Sequence, residues 1–104
     1  MNRNKILSLF GLAMKAGNIA SGGFLVEKAV KTGKSYLVVV AEDASENTRK
    51  KFSNMCQYYD VPMRFLGTKE ELGRAIGKEL RSCLAILDEN ITKAILRQLE
   101  DGKQ

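Results

Sequence analysis

The chain has 104 residues, of which 44% are hydrophobic and 28% charged, a composition typical of one folded domain. Its 17 Lys/Arg against 12 Asp/Glu give a net charge of +5, which favours a polyanionic partner, although many small proteins are equally basic. No segment approaches the roughly 18 consecutive apolar residues of a membrane helix, and two cysteines without histidine do not resemble a disulfide framework or a usual zinc site. We therefore expect one cytoplasmic domain over residues 1–104, with reduced thiols and without metal or cofactor.

The first third of the chain alternates helix and strand signals. Apolar residues three and four positions apart predict a helix over residues 4–15, ended by Gly17. A short strand over residues 18–21 follows, and it leads through two glycines into a second helix over residues 24–32. We expect Gly33 to terminate that helix in a left-handed conformation.

The middle of the chain opens with a continuous β-branched apolar run over residues 36–41, which predicts a strand buried on both faces. Ser45 is predicted to cap the next helix, whose apolar positions again recur at helical spacing. A third strand is predicted over residues 61–66. Pro62 lacks a backbone N–H donor, and its position near the start of this strand favours an edge of the sheet.

The last third begins with Thr68, which is predicted to cap a helix that runs through Ile76. A central strand over residues 83–87 follows, and Asn90 or Thr92 is expected to begin a final helix. Strands that alternate with helices in one unit predict an α/β fold. We expect a three-layer α/β/α sandwich around a small mixed sheet of about four strands.

The segment SGGFLVEKAVKTGKS, residues 21–35, ends in the letters of a phosphate-binding P-loop. Such a loop must follow a strand and open a helix, so that its backbone N–H groups surround the phosphates. Here Gly33-Lys34-Ser35 follows a predicted helix and precedes a strand. The sequence therefore predicts no nucleotide substrate.

The chain has few residues suited to acid–base catalysis, because it has no histidine to act as a base near neutral pH. Two acidic pairs, Glu42-Asp43 and Asp88-Glu89, follow predicted strands and could bind a divalent metal. The favoured interpretation is that they turn the chain and stabilise the starts of the next helices. Cys56 and Cys83 fall at apolar positions and are predicted to be core residues rather than nucleophiles. We expect a protein that is not an enzyme.

Glycines and basic residues indicate a phosphate-binding surface instead. The Gly22-Gly23 pair allows close backbone approach at the start of a helix, where free N–H groups favour a phosphate. Two basic series accompany it, and a third at residues 49–51 is interpreted as a solvated helix face. The two retained series are Lys28, Lys31 and Lys34, and Arg74, Lys78 and Arg81 around Gly77.

Three stretches, SGGFLVEKAVKTGKSYLVVVAEDAS, VPMRFLGTKEELGRAIGKE and LAILDENI, resemble the ribosomal protein superfamily of large-subunit seven-Ae and thirty-e proteins that binds kink-turn RNA. The start ILSLFGLAMKAGNIASG is similar to its small bacterial members of the YlxQ type. The resemblance spans roughly residues 5–99. It implies an α/β/α sandwich, in agreement with the pattern of elements.

The resemblance also implies a site, and the chain departs from its usual pattern. Kink-turn binders of this family carry Gly-x-Asn-Glu-x-x-Lys at the start of the second helix. Gly22 and Lys28 match, but Phe24 and Leu25 replace the two polar residues that read sheared G·A pairs. We expect Phe24 to pack inward, as apolar residues at helix starts usually do, with stacking on an unpaired base as the alternative.

The predicted function is binding of structured, kink-turn-like RNA, with ribosomal or translation-associated proteins as further partners. A protein-interaction module that has lost base-specific readout is the alternative, and metal-assisted chemistry at Asp88-Glu89 is the third hypothesis. The predicted RNA-binding residues lie at the start and along the second helix and around the loop before the last strand. They are Ser21, Gly22, Gly23, Phe24, Lys28, Lys31, Lys34, Arg74, Lys78 and Arg81.

Overall fold

The structure is a computed structural model that describes residues 2–101. Residues 1 and 102–104 of the predicted domain lie outside the described residues. Within that range the chain forms five helices and four strands in nearly strict alternation. In chain order they are α1 Arg3–Lys15, β1 Ile19–Ser21, α2 Gly23–Lys31, β2 Leu37–Val40, α3 Glu46–Tyr59, β3 Met63–Phe65, α4 Lys69–Ala75, β4 Cys83–Ile86 and α5 Glu89–Asp101.

The four strands form one mixed sheet in the order β1-β4-β2-β3. β4 is antiparallel to both of its neighbours, and β2 runs parallel to β3. Helices α2 and α3 pack against each other, while α1 packs on α4 and α5, so that helices cover both faces of the sheet. This arrangement confirms the predicted three-layer α/β/α sandwich.

The central strands carry the core of the molecule. Every residue of β2 and of β4 is buried, as the β-branched run predicted for β2. β3 lies at the edge of the sheet, where Pro62 precedes its first residue, but it is shorter than predicted. The free thiols of Cys56 and Cys83 are both buried among these core side chains, as predicted.

Most helix ends follow the local sequence signals. Ser45 Oγ accepts a hydrogen bond from the Thr48 backbone N–H and caps α3. Gly33 follows α2 with φ of +73°, which confirms that the P-loop-like ending is a helix terminator before a strand. The prediction for α5 was wrong, because the helix begins at Glu89. Its cap is Asp88, whose Oδ2 accepts from the Ile91 N–H at 2.7 Å.

The β1–β4 pairing positions the candidate site. Because the two strands are antiparallel, with Ser21 opposite Leu84, the end of β1 lies beside the start of β4. The turn from β1 into α2 therefore adjoins the loop that precedes β4. The Gly22 N–H donates to the Cys83 carbonyl at 3.1 Å and joins the two segments directly.

Candidate nucleic-acid interface

A surface depression of about 380 Å³ lies between the start of α2 and the loop before β4. We call it the α2 groove. Arg81 crosses one end of it, where its Nε donates to Ser21 Oγ at 3.3 Å across 60 positions of sequence. The residues that line the α2 groove are Ser21, Gly22, Gly23, Phe24, Leu25, Leu80, Arg81 and Ser82.

The α2 helix begins without a side-chain cap, because its N-cap residue is Gly22. Gly22 has φ of +88° and ψ of +158°, a conformation that is open essentially to glycine alone. A methyl group added at Gly22 or Gly23 would meet no atom within 4 Å, so the backbone here faces open space. The structure gives no intramolecular acceptor to the N–H groups of Gly23, Phe24 and Leu25, which remain available to a ligand.

Phe24 points outward, and the expectation that it packs into the core was wrong. Its side chain is 80% exposed, and that of its neighbour Leu25 is 50% exposed. The core-facing positions of α2 are Val26, Ala29 and Val30. Because each residue advances about 100° around an α-helix, Phe24 lies roughly 200° away from Val26. That spacing was the signal in the sequence that could have placed Phe24 on the outer face.

The loop before β4 supplies the opposite wall of the α2 groove. Gly73 in α4 allows this loop to approach closely, since a methyl group there would come 1.4 Å from the Glu79 carbonyl oxygen. Leu80 is 59% exposed on this wall, in the loop over residues 77–82 that the family resemblance implied as a minor RNA contact. Leu25, on the other wall, was not among the predicted RNA-binding residues. A second depression of about 430 Å³ continues past Leu80 and includes Arg74 and Lys78, together with Glu79 and with Glu70, which forms an ion pair with Arg74.

The basic residues along α2 divide into two groups. Lys28 is exposed one turn after Phe24 and Leu25, on the side of the α2 groove. Lys31 is held by an ion pair with Glu27 at 2.8 Å, and Lys34 lies beyond the end of the helix. The structure therefore brings together the predicted residues Ser21 to Phe24, Lys28 and Arg81. Arg74 and Lys78 lie next to them. Lys31 and Lys34 lie towards the other end of α2.

Glu27 also joins α2 to α3, because Lys51 contacts its other carboxylate oxygen at 2.7 Å. Hydrogen bonds from Lys31 and Lys51 lower the pKa of Glu27 to about 2, and the same pairing raises the pKa of Lys31. Lys51, which was interpreted as part of a solvated helix face, thus has a structural partner. This ion pair links α2 to α3 at the surface.

The residues considered for catalysis have structural roles. Asp43 Oδ1 accepts from the Lys69 N–H at 2.8 Å at the start of α4, and Asp88 caps α5. Glu89 forms an ion pair with Lys93. Burial raises the pKa of the Cys56 thiol to about 11 and also raises that of Cys83. Across residues 2–101, no group of three or more His, Cys, Asp or Glu side chains is placed to hold a metal ion.

The fold and the α2 groove together define an α/β/α sandwich protein whose glycine-opened second helix faces a loop before the last strand. The chain belongs to the ribosomal protein L7Ae/L30e/S12e/Gadd45 family, whose sequence model matches residues 4–96. This confirms the resemblance that the sequence motifs indicated. In the part of the chain that is described, no helix is long and apolar enough to cross a membrane.

Individual relatives agree with this assignment. The RNA-binding protein YlxQ of Bacillus subtilis (strain 168) is 39% identical over 92 residues, which cover 88% of this chain and 92% of that protein. A solved structure from Bacillus halodurans C, described as a protein with unknown function, has a TM-score of 0.88 at 35% identity and covers 92% of this chain and 97% of its own. The Giardia lamblia 15.5kD RNA binding protein has a TM-score of 0.78 at 25% identity, over 94% of this chain and 87% of its own.

Proposed function

We propose that this chain is a non-enzymatic RNA-binding protein that binds structured, kink-turn-like RNA at the α2 groove. The observation that carries the proposal is the convergence of two distant segments at an uncapped helix start. The turn after β1 contributes free N–H groups, and the loop before β4 contributes Arg81 across from them. An RNA strand that passes through the α2 groove would contact both segments at once.

The charge of the site supports an anionic ligand. The residues that line the α2 groove include one arginine and no carboxylate. Lys28 is exposed one turn along α2 from Phe24, and Lys78 lines the neighbouring depression. The positive end of the α2 dipole adds to their field. A net charge of +5 strengthens the attraction at longer range. These features suit the phosphates of RNA.

The relatives support RNA as the partner. YlxQ of Bacillus subtilis and the Giardia protein both carry RNA binding in their names, and the matched family is one of ribosomal proteins. We extend that function to this chain. A cytoplasmic, ribosomal or translation-associated setting follows from the same extension and is part of the proposal.

The proposal assigns different roles to the predicted residues. Gly22 and Gly23 let the RNA backbone approach the free N–H groups of α2, and Ser21 orients Arg81. Lys28, Arg74, Lys78 and Arg81 contact phosphates, which position the protein without reading sequence. Lys31 and Lys34 would extend the contact only for an RNA that runs along the whole of α2.

Equilibrium binding of the intact protein to three RNAs tests the proposal. A kink-turn RNA, a plain duplex and a single strand are compared at near-physiological salt, because affinities at low salt mainly report charge. We expect the kink-turn RNA to bind most tightly, and Arg81→Ala to weaken that binding. Arg97→Ala, which removes an exposed arginine of α5 outside the α2 groove, is the matched control. Equal and weak binding of all three RNAs would refute the proposal.

A protein-interaction module on the same fold is the second candidate. The observation in its favour is the exposed apolar set of Phe24, Leu25 and Leu80 around the α2 groove. Such a patch suits the centre of a protein interface as well as a nucleobase. Capture of a protein partner that persists after ribonuclease treatment and is lost on Phe24→Ala would favour this candidate.

A further inference from the structure

Another groove lies between α1 and α5, which cover the face of the sheet opposite to α2 and α3. It is a depression of about 490 Å³, and we call it the α1–α5 groove. Leu9, Leu12 and Ala94 supply its apolar surface, while Lys5 and Arg97 supply its charge. The α1–α5 groove shares no lining residue with the α2 groove, so the two surfaces are separate.

The spacing along each helix turns the lining residues of the α1–α5 groove away from the core. In α1 they recur at steps of four and three, whereas Ile6, Phe10 and Ala13 are the buried positions. In α5 they lie a step of three apart, beside the buried Ile95. As a result Leu12 is 54% exposed, and an apolar stripe between two packed helices stays in contact with water.

The charges beside this stripe favour a negatively charged partner. Lys5 and Arg97 are both exposed, and none of the described residues that line the α1–α5 groove is acidic. A second copy of this chain, related by a two-fold axis through the groove, would bring the same cations against each other. Like charges placed together across an interface are unfavourable. The α1–α5 groove therefore suits carboxylates next to apolar side chains and disfavours symmetric self-association.

The backbone of the α1–α5 groove has little to offer a ligand. Its apolar residues lie inside α1 and α5, where N–H and C=O groups are bonded within the helix. An extended peptide would therefore find no backbone partners, and an RNA would find neither free N–H groups nor, among the described lining residues, an aromatic ring. A helix satisfies its own backbone and presents apolar side chains at the same spacing of three and four residues.

We propose that the α1–α5 groove binds an acidic amphipathic helix of a protein partner. The apolar side chains of that helix pack on Leu9, Leu12 and Ala94, and its carboxylates lie beside Lys5 and Arg97. The inference goes beyond the proposed RNA-binding function and does not depend on it. Because the two grooves share no residue, RNA and this partner bind independently.

The test uses the intact protein and two synthetic helical peptides of about four turns. Both carry leucines at alternating steps of three and four, and one has glutamates beside the leucines where the other has lysines. Titrations followed by NMR of the nitrogen-15-labelled protein measure affinity and location together. We expect the glutamate peptide to bind at least about 10-fold more tightly than the lysine peptide. It should shift the amide signals of residues 5–12 and 94–98.

A matched pair of leucine variants tests the apolar contact. Leu12→Ser should weaken binding of the glutamate peptide about 10-fold. Leu80→Ser removes a leucine that is 59% exposed beside the α2 groove, against 54% for Leu12, and should leave that binding unchanged. Thermal unfolding should show both variants folded, because both side chains are exposed in the wild type.

A matched pair of double variants tests the charges. Lys5→Glu combined with Arg97→Glu should reverse the preference, so that the lysine peptide binds more tightly than the glutamate peptide. Lys15→Glu combined with Lys93→Glu changes the net charge equally, on the same two helices but outside the α1–α5 groove. This control should keep the wild-type preference. RNA affinity should be the same in the two double variants, because all four positions lie outside the α2 groove.

Several results would overturn the inference. They include no binding of the glutamate peptide, equal binding of both peptides, or shifts confined to the α2 groove. A dimer in solution that Leu12→Ser dissociates would assign the α1–α5 groove to a second copy of the chain. A larger loss of RNA affinity in the variant of Lys5 and Arg97 than in its control would assign the groove to RNA. Failure of RNA binding in every variant and in the wild type would overturn only the proposed function.

Discussion

The first N–H groups of α2 and of α4 both lack partners within their helix, but only those of α4 are bound by side chains. At α4, Thr68 Oγ1 accepts from the Glu71 N–H at 3.1 Å, and Glu71 Oε1 accepts from the Thr68 N–H at 2.9 Å. Asp43 takes the Lys69 N–H as well. At α2 the corresponding position is Gly22, and no side chain approaches the N–H groups that follow it.

The other described helices resemble α4. Asn2 caps α1, Ser45 caps α3 and Asp88 caps α5. Capping by such side chains contributes about 1 kcal/mol for each helix. The uncapped start of α2 is therefore an exception among the described helices, and it leaves backbone donors open to an acceptor from outside, as the proposed function requires. The contrast therefore separates four helix starts that are stabilised by a side-chain acceptor from one whose N–H groups have none.

The largest expected loss of stability comes from a substitution at Gly73, where the loop that forms the opposite wall of the α2 groove packs closely against α4. Gly73→Ala would place a methyl group 1.4 Å from the Glu79 carbonyl oxygen, so that α4 or the following loop must move. We expect a loss of about 3 kcal/mol or more in the free energy of unfolding. Urea denaturation measures it.

Gly23→Ala is the matched control for that variant, because the same methyl group at the start of α2 meets open space. Its stability should differ from the wild type by less than about 1 kcal/mol. A loss at Gly23→Ala as large as that at Gly73→Ala would contradict the distinction between an open start of α2 and a tightly packed α4.

Thr68→Ala should leave the start of α4 without its side-chain cap, as the start of α2 is. It removes the side-chain acceptor of the capping box, and we expect it to lower the free energy of unfolding by about 1 kcal/mol. Affinity for RNA should stay the same, because Thr68 does not line the α2 groove. A Thr68→Ser variant keeps the hydroxyl acceptor and should remain close to the wild type in both measurements.

Lys28→Ala should have the reverse profile, with a change in RNA binding and little change in stability. If Lys28 contacts one phosphate, the slope of log K against log salt should fall by about 1. Lys93→Ala removes an exposed lysine of α5, one that pairs with Glu89 outside the α2 groove, and should leave the slope unchanged. Equal slopes for wild type and Lys28→Ala would remove Lys28 from the site.

The smallest expected change in stability is at Glu27, which forms ion pairs with Lys31 of α2 and Lys51 of α3. Its pKa is lowered from 4.5 to about 2, so its contribution to stability is present above about pH 4.5 and is lost as the pH falls through about 2. We expect Glu27→Gln to be less stable than the wild type near neutral pH, with the difference disappearing in that acidic interval. Thermal unfolding across the range measures this, and a difference that is constant with pH would contradict the assignment.

Local features of the fold could be predicted from the sequence because their causes are local. The capping box of Thr68 and Glu71 depends on two residues three positions apart, and the burial of β2 depends on one continuous apolar run. The start of α5 was predicted one or more residues late. Asp88, Asn90 and Thr92 can all cap a helix, and only the path of the chain out of β4 selects Asp88.

The assembled site could be predicted only in part. Ser21 to Phe24 and Arg81 were predicted individually, whereas Leu25 and Ser82 were not. The contact between Ser21 and Arg81 depends on the antiparallel pairing of β1 with β4, which has no local signature. The outward direction of Phe24 was available in the spacing of Val26, Ala29 and Val30. The general preference of apolar residues for the interior predicts the opposite direction, and the position around the helix overrides it here.

The hydrogen bond from Gly22 to Cys83 has a consequence for the partner. It ties one wall of the α2 groove to a central strand, and the Arg81 N–H ties the other wall to the Lys69 carbonyl at 3.0 Å. A groove whose two walls are held in this way is preorganised. If RNA binds there as proposed, the free-energy cost of reaching the bound shape falls on the RNA. An RNA that adopts its bent form only part of the time should then bind with an apparent Kd raised in inverse proportion to that fraction. Conditions that stabilise the bend in the free RNA would tighten the complex without touching the protein.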